Sequence, residues 1–391
     1  MQNLSVLVIH NQYQQAGGED SAVQAELSLL RQHGHPVLHY TRHNLDIAAY
    51  GAARKSSLLL STSWNARSYA EIRELIRKHK PDVAHCHNLL PLVSPAAYYA
   101  CKSAGIPVVQ TLHNYRLVCP AGTLFRNGQR CNGCAEGTLP GAFSSCYRNS
   151  RIQTAAVSLM LGAHRLAGTW KRSVDAYLTP SQFCRDTFIR SGLPAEKVHC
   201  RPNFLARDPA PRSSTREYAL FVGRLSPEKG VLEMLQAWRV LPHVPLLVAG
   251  GGPLYTQACR QVASANLPVK LLGQIGREPT LTLMRGSSFL VFPSRWYEPF
   301  GMALLESAAC GVPAIASRIG AIPEIVTDQQ TGLLFDPDNF DEMTEHVRWA
   351  WRHPTEMEYM GDAARRRYLS TFTAEKNYET LMKIYNTALT N

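Results

Sequence analysis

An α/β protein of two parallel-sheet domains is what this 391-residue sequence predicts. Three observations carry that expectation: short apolar runs alternate with helical patterns, an exposed connector lies near the middle, and glycine-bearing loops follow several strands. A chain this long exceeds one comfortable core, and a hydrophobic share of 45% excludes the disordered and fibrous classes.

In the first half, the run 4–9 reads as a strand, followed by a helix over 21–33, a strand over 37–40, a helix over 66–79 and a strand over 83–85. Runs 108–112, 176–179 and 198–201 read as further strands, and continuous apolar runs of this kind imply a parallel sheet covered on both faces. Residues 203–216, with Pro209, Pro211 and adjacent serines, have the composition of a connector. The rhythm resumes with strands over 218–222, 246–249, 269–272, 289–292 and 314–317 and a helix over 230–241. Residues 339–389 read as helical, interrupted at Pro354 and near Phe372. The division expected is 1–205, 206–370 and a terminal helix 371–391.

The opening run lacks a basic start and is too short for a signal peptide's apolar core, and no apolar stretch approaches the ~20 residues of a membrane-spanning helix. The expected location is cytoplasmic, or peripheral on the inner face of the cell membrane. In that reducing setting the ten cysteines are expected as free thiols, with Cys86, Cys101, Cys184, Cys200, Cys259 and Cys310 acting as small hydrophobes. The formal charge of +11 lies wholly in residues 1–205, which hold 22 Lys and Arg against 11 Asp and Glu, while the remainder balances 19 against 19. That asymmetry fits a basic surface facing an anionic membrane or a phosphorylated acceptor; scattered solubilising charge is the plainer reading. Nucleic acid is not an expected partner, because no recognition helix, zinc finger or RNA-binding signature accompanies the charge. Residues 54–60 and 151–177 interleave apolar and basic side chains and suit either an anionic membrane surface or core packing.

Chemistry concentrates at the strand ends. Gly17 and Gly18 follow the first strand and open a helix, where glycine permits close backbone approach and the helix start offers N–H groups to an anion; a plain tight turn is the alternative. In the second domain the segment 223–230 brings Arg224 and Lys229 onto one loop with a glycine at each end. These suit a diphosphate, Arg as a fork and Lys as a point charge, unless the loop is simply solvated. Gly250, Gly251 and Gly252 follow the next strand and suit close passage of a nucleotide base. The richest segment is 293–308, where Glu298 precedes a helix and Glu306 lies about two turns inside it, so the two carboxylates face different parts of one extended ligand. The amides of Phe300, Gly301 and Met302 are then donors at the helix start.

The pair Glu298 and Glu306, the loop Gly223-Arg224-Leu225-Ser226-Pro227-Glu228-Lys229-Gly230, the turn Gly250-Gly251-Gly252-Pro253 and the run Gly320-Ala321-Ile322-Pro323-Glu324 closely resemble family 4 of the retaining glycosyltransferases, of the bacterial polysaccharide and lipopolysaccharide assembly type. The resemblance spans nearly the whole chain. It implies the GT-B fold, two Rossmann-like domains facing each other across a deep cleft, with the terminal helix bracing the first. It also implies a metal-independent hexosyltransferase that moves a sugar from a UDP- or GDP-sugar donor onto a glycan or lipid-linked glycan with an α-linkage. By resemblance, Glu306 holds the ribose hydroxyls and Arg224 and Lys229 the diphosphate. Glu298 with the Phe300 and Gly301 amides holds the sugar, Gly17 and Gly18 face the diphosphate, and His113 stands beside the anomeric centre. The alternatives are a non-catalytic sugar-nucleotide-binding subunit, or an epimerase or phosphorylase on the same scaffold.

Two further groups stand apart. His85 and His87, at alternate positions after a strand, read as acceptor-side residues of such a family, as structural hydrogen-bonders, or as metal ligands. Cys119, Cys131, Cys134 and Cys146 frame one glycine-rich loop, with eleven residues on either side of a Cys-x2-Cys. That spacing suits a structural zinc, with free or redox thiols and an iron–sulfur cluster as the other readings. No cofactor is expected for catalysis.

Overall fold

The computed structural model describes residues 3–14, 17–51, 57–58, 60–135, 140–212 and 217–390, the side chains of Pro140 and Ala142 excepted. Ala16, most of the basic stretch 54–60 and residues 213–216 of the connector lie outside the described residues. Met1–Leu124, Cys131–Ala206 and Ala374–Asn391 form one compact unit, and Phe125–Arg130 with Arg207–Thr373 a second.

The first unit holds six parallel strands: β1 (Val6–Gln12), β2 (Val37–His43), β3 (Val83–Cys86), β4 (Val108–Thr111), β5 (Ala176–Thr179) and β6 (Val198–Cys200), in the order β2-β1-β3-β4-β5-β6. Strands β3, β4 and β5 are buried at every position, as a doubly covered parallel sheet requires. Helix α1 (Gly18–Gln32) turns Val23, Leu27 and Leu30 inward. Helix α2 (Ala66–His79) starts on Asn65, whose side chain accepts the Ser68 N–H. The helix Ala374–Thr390 adds Tyr378, Leu381, Met382 and Tyr385 to the same core as Leu4, Val6, Leu27 and Val109. Each such side chain, fully buried, contributes about 1.5–3 kcal/mol.

The second unit repeats the plan with β7 (Ala219–Val222), β8 (Leu246–Ala249), β9 (Val269–Gly273), β10 (Phe289–Phe292), β11 (Ala314–Ser317) and β12 (Gly332–Phe335), all parallel, in the order β9-β8-β7-β10-β11-β12. Trp238, Phe221, Phe289 and Phe335 fill its core.

Several elements differ from the sequence reading, which assigned no helix to Ala96–Lys102, Gln182–Arg190, Tyr255–Ser264 or Arg277–Arg285. Strand β12 was not expected from the sequence; it is defined by pairing with β11. The helix expected over 230–241 is α-helical only at Val231–Ala237 and tightens into a 3₁₀ turn at Trp238–Val240. The segment 151–177, helix-like in its pattern, is a helix Arg151–Leu166, a short turn of helix Thr169–Arg172 and then the start of β5. Among the described residues no helix is long and apolar enough to cross a membrane.

Each sheet has one point where the strand order reverses: between β1 and β3 in the first unit, and between β7 and β10 in the second. Loops leaving the carboxyl ends of such neighbours flank a crevice, the usual ligand position in open α/β sheets.

Candidate functional site

In the second unit that crevice is made by the loops after β7 and β10. Gly230 has φ +67°, and a Cβ on it would stand 2.1 Å from the Pro293 carbonyl oxygen, so only glycine lets the two loops lie this close. Arg295 N–H donates to the Glu228 carbonyl at 2.8 Å and seals the contact. Lys229 Nζ then lies 2.8 Å from both carboxylate oxygens of Glu298. Ser294 Oγ at 2.9 Å and Trp296 Nε1 at 2.7 Å donate to the same carboxylate. Glu298 is only 6% exposed. A charge so far from water carries a penalty of several kcal/mol unless donors surround it, and here three donors make four hydrogen bonds to it. The Lys229 ammonium also lies 5.3 Å from the Phe292 ring centre and 5.4 Å from that of Trp296.

The helix Met302–Cys310 follows with Gly301 as its N-cap, whose carbonyl accepts from the Leu304 and Leu305 amides, so the donors a helix start offers are those before Leu304. Glu306, half-buried, has Arg277 Nε 3.5 Å away; burial raises its carboxyl above the usual range and Arg277 opposes the rise. Arg224 is exposed. Gly250 has φ +152°, and a Cβ there would meet the Gly223 carbonyl oxygen at 1.8 Å. This glycine is accounted for by its own neighbouring loop rather than by a ligand. Gly251 is half-buried, its Cβ position 3.4 Å from Gln274 Cβ.

In the first unit the loops after β1, β3 and β4 bring up polar side chains. His113, just past β4, has its Nε2 2.9 Å from His87 Nδ1, and His87 Nε2 is 3.2 Å from Glu26 Oε1. The other Glu26 oxygen accepts from Arg201 Nη1 at 2.5 Å, and Arg201 donates onward to Asn377 Oδ1 at 2.9 and 2.6 Å. Burial pushes the Glu26 carboxyl up, but Arg201 first, then His85 and His87, outweigh it and hold it well below 4.5. Burial pushes His87 down to about 3 and His113 well below 6.5, so both rings are neutral at pH 7. A neutral imidazole carries one N–H. With Glu26 ionised, His87 donates from Nε2 and accepts at Nδ1 from His113 Nε2, which leaves His113 Nδ1 as a lone pair. The relay therefore fixes the tautomer of His113.

Glu26, His85 and His87 present ligand atoms within 4.8 Å of one another. Every ring nitrogen is already engaged, His85 with Tyr385 and Glu26 on one side and Thr111 on the other. A cation there would also face the Arg201 guanidinium. The cluster is a hydrogen-bonded relay.

Gly17 needs no special backbone. Its φ of −127° is ordinary extended backbone, and what its missing side chain leaves is open space, with nothing within 4 Å of a Cβ. Its N–H donates to Asp20 Oδ2 at 3.2 Å, and Asp20 Oδ1 bonds His10 Nε2 at 2.8 Å. Beside it, Glu19 accepts from Tyr13 Oη at 3.0 Å and from Asn114 Nδ2 at 3.2 Å. Glu19 also lines one small cavity with His113, Asn114 and Arg116.

Residues 17–208 match the family described as Glycosyltransferase Family 4, and residues 205–367 match Glycosyl transferases group 1. The chain belongs to glycosyltransferase family 4. It is 34% identical over 225 residues to the D-rhamnosyltransferase WbpZ of Pseudomonas aeruginosa, covering 54% of this chain and 58% of that one. It is 29% identical over 197 residues to the O-antigen chain mannosyltransferase B of Escherichia coli, covering 45% and 51%. The chain thus matches little more than half the length of these relatives. Among solved structures, the Anabaena protein HepE in complex with UDP superposes with a TM-score of 0.70 at 17% identity, over 98% of this chain and all of that one. That likeness gives the GT-B fold.

In this family 4 chain, sequence reasoning missed Glu19, Glu26 and Arg201. Glu26 had a signal: it sits on the buried stripe of Val23, Leu27 and Leu30 in α1, where an unpartnered carboxylate would be costly. Burial raises the Glu19 carboxyl to about 7. If Gly17 and Gly18 face a diphosphate, Glu19 is neutral below that pH and repels the ligand above it. UDP or GDP affinity is expected to weaken as pH rises from 6 to 8, and Glu19→Gln to flatten the profile; an unchanged slope in calorimetric titrations of the variant would remove Glu19 from the site. The same shift makes the wild-type fold lose stability as pH climbs from 4.5 through about 7.

Proposed function

We propose that this protein is a retaining, metal-independent hexosyltransferase that moves a sugar from a UDP- or GDP-sugar to a lipid-linked glycan acceptor with an α-linkage. The observation that carries the reading is the pair of half-buried Lys229 and buried Glu298 at the strand-order reversal of the second sheet. Lys229 and Arg224 supply positive charge for a leaving diphosphate, the task a divalent ion performs elsewhere. Glu298 and the amides at Gly301 and Met302 supply acceptors and donors for sugar hydroxyls, and Glu306 an acceptor for ribose. In a same-face transfer the acceptor oxygen bonds to the anomeric carbon as the bond to the diphosphate breaks, and a diphosphate oxygen takes the acceptor's proton. No enzyme nucleophile is needed, and the neutral His113 adds no positive charge beside a developing cation.

The relatives' names, an O-antigen mannosyltransferase and a D-rhamnosyltransferase, support an O-antigen type of acceptor, and the UDP complex of HepE supports a nucleoside diphosphate donor. A cavity of about 510 Å³ in the first unit, lined by Ile47, Leu90, Ile152 and Val157 with Arg116 and Arg148, suits an apolar tail carrying phosphate. Ile152, Leu159 and Leu166, seven apart on one helix, are 70%, 61% and 90% exposed and suit the surface of an anionic bilayer.

The test is a donor screen by thermal shift followed by turnover with lipid-linked glycan in anionic vesicles. One nucleotide sugar is expected to raise the melting temperature, and nucleotide release is expected to require the acceptor. Glu306→Ala is expected to weaken nucleotide binding. Donor turnover that proceeds without acceptor would replace the reading with hydrolysis or epimerisation, and no response to any donor would overturn it.

A further inference from the structure

The segment between His113 and Arg151 runs through nearly forty residues, and those described hold no more regular structure than a hairpin of Phe125–Arg126 with Gln129–Arg130 and one 3₁₀ turn, Pro140–Phe143. Loops that long are uncommon in compact domains unless something ties them. Among its described residues the buried hydrophobic side chains besides Cys119 are Tyr115, Val118 and Leu124. What the segment has instead is four thiols, and the fold brings them together from separate turns. Cys119 ends the turn that begins at Tyr115, its N–H donating to the Tyr115 carbonyl at 2.8 Å. Cys131 N–H donates to the Leu124 carbonyl at 2.8 Å. Cys134 lies in electrostatic reach of Cys119, Cys131 and Cys146 together and takes the Gly141 N–H on its sulfur. Cys146 Sγ is 2.9 Å from Ser144 Oγ.

We propose that Cys119, Cys131, Cys134 and Cys146 bind one zinc ion as a structural tetrathiolate that ties this loop. Four thiolates around Zn²⁺ carry a net charge of −2, which wants N–H donors and cations nearby. The Gly141 amide meets the first need, and Arg165 and Lys171, which line the same cavity as Cys134, the second. Binding releases four protons, one from each thiol, with no change in oxidation state. The thiols are gathered but not closed: no three of their sulfurs lie within 4.8 Å of one another, whereas a tetrahedral site with Zn–S of about 2.3 Å holds them about 3.8 Å apart. Cys131, Cys134 and Cys146 are only half-buried, which leaves their side chains room to rotate toward a shared ion. The inference does not rest on the transfer reaction.

The experiment is metal analysis of the full chain purified under reducing conditions without added metal or chelator. About one zinc per chain is expected, released by a thiol-specific mercurial and detected with a chromogenic chelator. Cys134→Ser is expected to lose it, and Cys259→Ser, in the second unit, to keep it. Wild-type stoichiometry decides the matter even if Cys134→Ser does not fold. Less than about a tenth of an equivalent of zinc, with these thiols reacting freely with Ellman's reagent in the native protein, would overturn the proposal. So would iron in place of zinc with visible absorption.

Discussion

Transfer by a Lys229→Ala variant is expected to fall about 10²–10³-fold in kcat/KM, the usual loss when one donor to developing negative charge is removed. The residue has two functions in this geometry. Its ammonium lies 2.8 Å from both oxygens of Glu298, and it stands on the loop assigned to the donor diphosphate. Removing it leaves the Glu298 carboxylate with only the neutral donors Ser294 and Trp296, so the variant is also expected to lose about 3 kcal/mol or more of stability. A double variant separates the two effects. Lys229→Met with Glu298→Gln removes both charges, so much of the stability is expected to return while transfer stays low. Urea unfolding beside steady-state kinetics reads both quantities. Full transfer by the single variant would take Lys229 out of the chemistry.

Arg201→Ala is expected to cost about 3–5 kcal/mol of stability, because it strands Glu26 as a buried, unpaired charge. The pH dependence has a definite sign. With the Glu26 carboxyl held well below 4.5 in the fold, its stabilising contribution is complete above 4.5 and is lost as pH falls below that value. The variant is expected to lose this acid-side slope. It is also expected to lose activity beyond what its stability explains, because Glu26 sets the hydrogen-bond direction through His87 to His113. An unfolding free energy within about 0.5 kcal/mol of wild type, the scatter of ordinary surface changes, would show that the pair is not what holds this corner together.

The fold was legible where burial is continuous. Strands β5, β8, β10 and β11 and helix α2 fall on the residues the patterning assigned, because runs buried on both faces, or an apolar face spaced at 3.6, are visible without neighbours. Strand β12 was not, since its identity comes from pairing with β11. The site shows the same division. Glu298, Lys229 and Glu306 stand in motifs, yet nothing in the spacing says that Lys229 and Glu298 pair across two loops, because the contact depends on Gly230 letting those loops touch. Arg201 was beyond reach: the carboxylate that explains it is 175 residues away in sequence. Gly17 has a φ of −127° that any residue adopts, so its place rests on the open space where a side chain would stand.

The helix Ala374–Thr390 places Tyr378, Leu381, Met382 and Tyr385 in the core of the first unit and Asn377 on Arg201. A ribosome delivers those residues after the entire second unit. The second unit can complete its own core as it emerges, while the earlier-made one waits with part of its sheet exposed to chaperones and to neighbouring nascent chains. Order of synthesis and order of completion are thus reversed in this chain, and a premature stop near its end would harm the unit made first.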